Sequence, residues 1–386
     1  MTEWIECTLD KLGEIVGGAT PSTKCEDYYG GSIPWITPKD LSSFKGRYIT
    51  SGERNITEKG LASCSAQMMP KDAVLFTSRA PIGYVAIASQ SVCTNQGFKS
   101  IVVNEKADPL FVYYLLKYNK DAIEAMGSGT TFKEVSGKTM RAVKVRIPLD
   151  VSYQKRIAAV LDSLDTKIEN NERINDNLQQ QAAALFSSLY DRTNTEVRFT
   201  DLIQILGGGT PKTGENTYWN GNIAFFTPKD VGTPYTLITE KTITEEGLSH
   251  CNSRLYPVNT VFVTARGTVG KVGMSGVPMA MNQSCYALVG KETHQLLVYF
   301  YTLKAVDRLK HKASGAVFDA ITTRDFESEQ IMKLSDDDAK AFLCIAEPMF
   351  QKVLNNCIEN LRLSTLRDSL LPKLMSGEVD VSAVQL

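Results

Sequence analysis

Residues 153–190 read YQKRIAAVLDSLDTKIENNERINDNLQQQAAALFSSLY, and their spacing decides the fold. Ile157, Leu161, Leu164, Ile168, Asn171, Asn175, Leu178, Ala182, Leu185 and Leu189 follow one another in unbroken 4-3-4-3 steps, the seam of a heptad helix. The stretch holds neither Gly nor Pro. At ~1.5 Å per residue it spans roughly 57 Å, too long for a helix buried inside one domain, so it reads as a rigid spacer. Adding 185 to each number gives Phe342, Ala346, Met349, Val353, Asn356, Asn360, Leu363, Arg367, Leu370 and Leu374. The chain therefore ends on a second copy, in which the Asn pair returns. Ser335 before Asp336, Asp337 and Asp338 predicts its N-cap, and Pro348 predicts a kink.

Outward from the helix, the flanking parts repeat each other. Gly17-Gly18-Ala19-Thr20-Pro21 returns 190 residues later as Gly207-Gly208-Gly209-Thr210-Pro211, and Thr37-Pro38-Lys39-Asp40 as Thr227-Pro228-Lys229-Asp230. The shift then falls to 187: Ile56-Thr57-Glu58 matches Ile243-Thr244-Glu245, Arg79 matches Arg266, Gly83 matches Gly270, and Asn95-Gln96 matches Asn282-Gln283. The lost residues place a loop of variable length at 41–55 in one half and 231–242 in the other. Short strands are predicted at 73–77, 84–88, 100–103, 261–264 and 286–289, with helices at 109–120 and 295–310. Each half reads as a compact α+β domain. The expected organisation is a first domain over 1–150, a central long helix over 151–192, a second domain over 193–334, and a distal helix and tail over 335–386.

The composition is that of a globular chain able to bury real cores, and a formal net charge of −1 leaves any basic footprint to be local. The start shows no charged-then-apolar leader and no apolar run is long enough to span a bilayer, so a cytoplasmic location without membrane contact is expected. The eight cysteines are scattered without a Cys-x-x-Cys, and the three histidines, His250, His294 and His311, lie in the second half. A metal site is not expected, and buried reduced thiols are; Cys64 and Cys251, at matched positions, suit core roles. Ser136-Gly137-Lys138-Thr139 ends like a phosphate-binding loop, but Phe132 stands where that pattern needs Gly. No amino-methyltransferase, nucleophile-elbow, zinc-protease or dinucleotide-binding signature is present, so no catalytic residue is assigned.

The remaining polar residues have nucleic-acid uses beside duller ones. Arg79 and Arg266, just ahead of Gly83 and Gly270, suit a phosphate or guanine contact, or a structural ion pair. Asn95-Gln96 and Asn282-Gln283 carry amides that read adenine bidentately and also cap turns. Lys39 with Asp40, and Lys229 with Asp230, read as a phosphate contact or a solvated turn; Thr37, Thr227 and Lys133 join these candidates.

Two similar domains each followed by a long helix, Gly-Gly-x-Thr-Pro near each start, Gln154-Lys155-Arg156-Ile157 opening the first helix, and the closing residues 366–379, LRDSLLPKLMSGEV, give a resemblance. The chain resembles the specificity subunit of prokaryotic type I restriction-modification systems over nearly its whole length. The resemblance implies two target recognition domains, each binding one half of a split sequence in double-stranded DNA, with the helices setting the half-site distance. It also implies two methyltransferase subunits docked on the helices and motor-nuclease subunits beyond them. This chain is then noncatalytic and holds no cofactor, with S-adenosylmethionine, ATP and Mg acting in the partners on adenine methylation or cleavage of unmethylated DNA. The competing reading is a coiled-coil adaptor whose repeated domains bind protein or glycan; an enzyme with an unfamiliar site is disfavoured by the lack of a shared Asp, Glu and His cluster.

Two expectations follow. Residues identical in both halves cannot carry a difference between two DNA words, so Arg79/Arg266 and Lys39/Lys229 should position phosphates. The divergent loops, with Lys45, Arg47 and Arg54 in one and Thr233, Tyr235 and Lys241 in the other, should choose sequence. A duplex presents its half-sites on an approximate two-fold axis, so the two helices should pack as an antiparallel coiled coil. That register sets Asn171 near Asn360 and Asn175 near Asn356 as a polar layer, unless these side chains face solvent or a partner.

Overall fold

The computed structural model describes residues 3–129, 133–232, 234–312 and 320–385. It divides into two units, 1–169 with 362–386, and 170–361. In the first unit the chain forms β1 (Trp4–Thr8), β2 (Gly13–Gly17), β3 (Tyr29–Ile36), α1 (Pro38–Ser42), β4 (Tyr48–Ile49), β5 (Asn55–Ile56), α2 (Glu58–Ala62), β6 (Val74–Ser78), β7 (Ile82–Ala88), β8 (Cys93–Thr94), β9 (Lys99–Val103), α3 (Pro109–Tyr118), α4 (Lys120–Ala125), α5 (Gly137–Ala142) and β10 (Lys144–Pro148). The strands make a five-stranded sheet in the order β2-β9-β6-β7-β4, a three-stranded sheet β5-β3-β8 and the pair β1-β10. Strand β6, buried at every residue, runs antiparallel to both β7 and β9. The short β4 and β8 pair in parallel, with β7 and β3.

Helix α3 starts as its sequence dictates: the Asp108 carboxylate accepts from Phe111 N at 2.9 Å, and Pro109 takes the first-turn position that needs no donor. Residues 111–116 of α3 are all buried. Complete burial of a side chain such as Phe111 stabilises by about 1.5–3 kcal/mol. The same core takes in Ile157, Ala158 and Leu161 of α6 (Val151–Tyr190) and Leu374 and Met375 from the end of the distal helix. Ser136 caps α5 by accepting from Thr139 N at 3.0 Å, so this stretch is a helix start; Phe132 lies outside the described residues.

The second unit repeats the plan with β11 (Glu196–Arg198), α7 (Phe199–Leu202), β12 (Ile203–Gly207), β13 (Trp219–Phe226), β14 (Tyr235–Thr236), β15 (Lys241–Ile243), α8 (Glu245–Ser249), β16 (Val261–Thr264), β17 (Val272–Ser275), β18 (Met279–Met281), β19 (Cys285–Gly290), α9 (Gln295–Lys312), α10 (Thr323–Glu327), β20 (Gln330–Met332) and α11 (Asp336–Ser376). Its sheets, β12-β19-β16-β17-β14, β15-β13-β18 and β11-β20, are those of the first unit strand for strand. Its core joins α9 to the seam residues Ala182, Leu189, Phe342, Ala346 and Val353, with Phe186 stacked 5.0 Å from Phe300.

The helix segments within each unit run antiparallel. In the second unit Asn171 Nδ2 donates to Asn360 Oδ1 and to Glu359 Oε2, both at 2.8 Å, and Asn356 Nδ2 donates to Asn175 Oδ1 at 2.8 Å. Asn171 and Asn356 are each 1% exposed, so these amides line the seam and do not face solvent. In the first unit a charged contact takes an equivalent place: the buried Asp165 carboxylate accepts from Arg367 Nη1 at 2.6 Å and from the Tyr114 hydroxyl at 2.7 Å. Ser335 caps α11 by accepting from Asp338 N at 3.1 Å. Helix α11 continues through Pro348 as one element. Proline forfeits the donor to the Cys344 carbonyl, and the buried Phe342, Ala346 and Phe350 on either side hold the turn. Cys64 and Cys251 are half-buried, not core residues; all eight thiols are free. Among the described residues no group of His, Cys, Asp and Glu is placed to hold a metal, and no helix is long and apolar enough to cross a membrane.

Candidate nucleic-acid interface

The repeated motifs meet at one end of each unit's sheets. Gly18 lies against the Thr94 and Asn95 carbonyls so closely that a Cβ would sit 2.2 Å from each oxygen, and Ala19 N donates to Thr94 O at 3.0 Å. Asn95 Oδ1 accepts from Gly97 N at 2.9 Å, while the Thr20 hydroxyl donates to Gln96 Oε1. The second unit reproduces each contact. A Cβ on Gly208 would sit 2.2 Å from Asn282 O, Ser284 N donates to Asn282 Oδ1 at 3.0 Å, and the Thr210 hydroxyl donates to Gln283 Oε1. The Asn-Gln amide oxygens thus clamp a turn onto the Gly-Gly-x-Thr-Pro strand end.

Thr-Pro-Lys-Asp is a capped helix start that also closes the variable loop. Thr37 N and Oγ1 both donate to Asp40 Oδ2, at 2.7 and 2.6 Å, and the other oxygen, Oδ1, accepts from Glu53 N at 2.7 Å. In the second unit Thr227 N and Oγ1 donate to Asp230 Oδ2 at 2.8 and 2.6 Å, and Glu240 N donates to Oδ1 at 2.8 Å. One carboxylate therefore pins both ends of loop 41–55, and its repeat pins loop 231–242. Matched residues build the frame; unmatched ones fill it.

The candidate cations divide by partner. Lys39 lies 2.7 Å from Glu53, Lys229 lies 3.5 Å from Glu240, and Arg79 shares Glu134 with Lys99 at 3.7 and 3.6 Å. Exposed pairs of this kind add little stability, but they offset the positive charge. Lys45, Lys133 and Arg266 are exposed with no ion pair among the described residues. Arg54 lies 4.4 Å over the Tyr29 ring and Lys241 lies 5.5 Å over the Trp219 ring. Such a contact contributes about 0.5–1 kcal/mol at an exposed site without discharging the cation.

Two candidates are withdrawn from the interface by burial. Arg47, 6% exposed, turns into the first unit: Nη1 donates to the Asp162 carbonyl at 3.0 Å and to its carboxylate, and Nη2 donates to Thr166 Oγ1 at 2.9 Å and Glu169 Oε2 at 3.1 Å. Burial opposes its charge, yet the Tyr114 hydroxyl, Asp162 and Glu169 hold its pKa above the ordinary arginine value. Arg47 is a latch between loop 41–55 and α6. Tyr235, 8% exposed, gives its hydroxyl to Asn259 Oδ1 at 2.9 Å, and burial pushes its pKa up. Thr233 lies outside the described residues. The sequence reading missed Glu134, the pinning role of Asp40 and Asp230, and the rings under Arg54 and Lys241. Signals were present for the last two: Thr-x-x-Asp is a capping pattern, and Tyr29 and Trp219 stand 190 residues apart.

A family model for the type I restriction modification DNA specificity domain matches residues 1–180 and again 192–333. The type I restriction enzyme MjaIX specificity subunit of Methanocaldococcus jannaschii is 31% identical over 98% of this chain and 94% of its own length. The chain belongs to the type I restriction-modification specificity-subunit family. This specificity subunit is also 29% identical to the EcoR124I/EcoR124II specificity subunit of Escherichia coli, over 41% of this chain and 40% of that one. Its fold is similar to the crystal structure of the type I restriction-modification S subunit from M. genitalium, with a TM-score of 0.63 at 16% identity, over 97% of this chain and 96% of that one. Each DNA specificity domain of the subunit holds one full set of the motifs above, with its own loop.

Proposed function

We propose that this specificity subunit selects a split sequence in double-stranded DNA, each domain reading one half-word. It performs no chemistry itself. Methyltransferase subunits docked on α6 and α11 supply S-adenosylmethionine-dependent adenine methylation, and motor-nuclease subunits supply ATP- and Mg-dependent cleavage of unmethylated DNA. The observation that carries the reading is that two domains share the same pinned frame while the loops inside it differ in length and residues. Two different words need that arrangement: a common frame to position the backbone, and separate side chains to read base edges. Lys45 in the loop and Arg266 in the matched frame, exposed and without ion pairs among the described residues, are cations that suit base or phosphate contacts. With Arg47 and Tyr235 buried, readout falls to the exposed loop residues, Lys45 among them.

Loop exchange tests this. Residues 41–55, grafted in place of 231–242 in the intact complex, should change the second half of the methylated motif and leave the first unchanged. An unaltered motif with a folded chimera would refute it, and binding to protein or glycan in place of duplex DNA would favour an adaptor.

A further inference from the structure

We propose that Arg54 and Lys241 are matched phosphodiester-binding cations, each held by an aromatic platform that aligns it without neutralising it. The proposal rests on the DNA-binding reading above and assigns these two loop residues to the backbone and not to sequence choice. The repeat is the first support. Tyr29 and Trp219 correspond at a shift of 190 and Arg54 and Lys241 at a shift of 187, so both members differ in type between units while the stacked arrangement returns. A position whose geometry recurs in both domains does not distinguish two words.

The platforms are built, not incidental. The Tyr29 hydroxyl donates to Pro21 O at 2.8 Å, and Trp219 Nε1 donates to Lys212 O at 3.1 Å, so one ring is tied to the last residue of its Gly-Gly-x-Thr-Pro start and the other to the residue just after it. A second aromatic braces each ring edge-on: Trp35 at 6.0 Å in the first unit and Phe225 at 5.5 Å in the second. The braced ring lies against one side of the cation, and both Arg54 and Lys241 are exposed. Lys39, Lys229 and Arg79 instead face carboxylates. Arg54 and Lys241 are exposed and have no ion pair among the described residues, so their charge remains available to displace counterions from a duplex.

The test is the salt dependence of binding by the full chain to two duplexes of unrelated sequence, between about 50 and 200 mM KCl. Arg54→Gln and Lys241→Gln should each flatten the log–log slope by about 0.9, and the double variant by about 1.8. For each single change the parent's advantage shrinks about 3- to 4-fold across that range, equally on both duplexes. Arg54→Lys should keep the parent slope. Tyr29→Leu, which removes the platform and leaves the charge, should weaken binding at an unchanged slope. A steep parent slope that survives the double change overturns the platform role and leaves DNA binding standing. A flat parent slope overturns the DNA-binding reading itself, and the platform role with it.

Discussion

Replacing the pair Asn175 and Asn356 tests the polar layer directly. Asn356 Nδ2 donates to Asn175 Oδ1 at 2.8 Å, and Asn356 Oδ1 is buried without a partner among the described residues. Asn356→Leu alone leaves the Asn175 carbonyl buried and unpaired, and Asn175→Leu alone leaves the Asn356 amide unpaired, each at about 1–3 kcal/mol. The double change leaves neither and buries a second leucine. It should therefore exceed either single variant by about 1–3 kcal/mol in stability, the size of one orphan penalty. At about 2–4 °C per kcal/mol for a unit of this size, the double variant should melt on the order of 2–12 °C above each single. Scanning calorimetry of the full chain measures this. A double variant melting below both singles would refute the argument, because it would make the amides additive structural partners. Leucine at Asn171 and Asn360 as well should raise stability further while widening the range of half-site spacings the complex accepts.

Arg47→Met should destabilise the first unit by about 2–3 kcal/mol, less than a fully buried pair loses because Asp162 and Glu169 stay about one-third exposed, and chemical denaturation reads it. Gly18→Ala and Gly208→Ala should each lower the melting temperature sharply, since the new Cβ meets backbone oxygen at 2.2 Å, whereas Gly17→Ala and Gly207→Ala meet nothing within 4 Å and should be tolerated. Burial pushes the Cys93 and Cys285 thiols up to about 12, so the folded chain at about pH 8 keeps both protonated. A disulfide reagent should modify them only after unfolding.

The architecture was legible because it is periodic. The 4-3 seam, the shifts of 185, 190 and 187, and the alternation of short apolar runs are local arithmetic, and each predicted strand lies within a residue or two of an observed one. The Asn positions paired because an antiparallel seam has one midpoint. The site was less legible because partners there are remote in sequence. Arg47 reads as an exposed loop arginine until α6 brings Asp162 and Glu169 beside it, more than a hundred residues on. Tyr235 looked like a donor on a loop and is a core tyrosine of a two-residue strand. Asp40 and Asp230 stand beside their lysines as a phosphate contact or a solvated turn, although threonine three residues earlier is the signature of a cap.

A specificity subunit of the proposed function decides which DNA is modified. Genome-wide mapping of N6-methyladenine in cells with and without the gene tests it most directly. One split motif, with two unlike halves at fixed spacing, should lose its methylation when the gene is removed and regain it on complementation. A methylation map unchanged by removal of the gene, in cells that express the parent chain with its partner subunits, would contradict it.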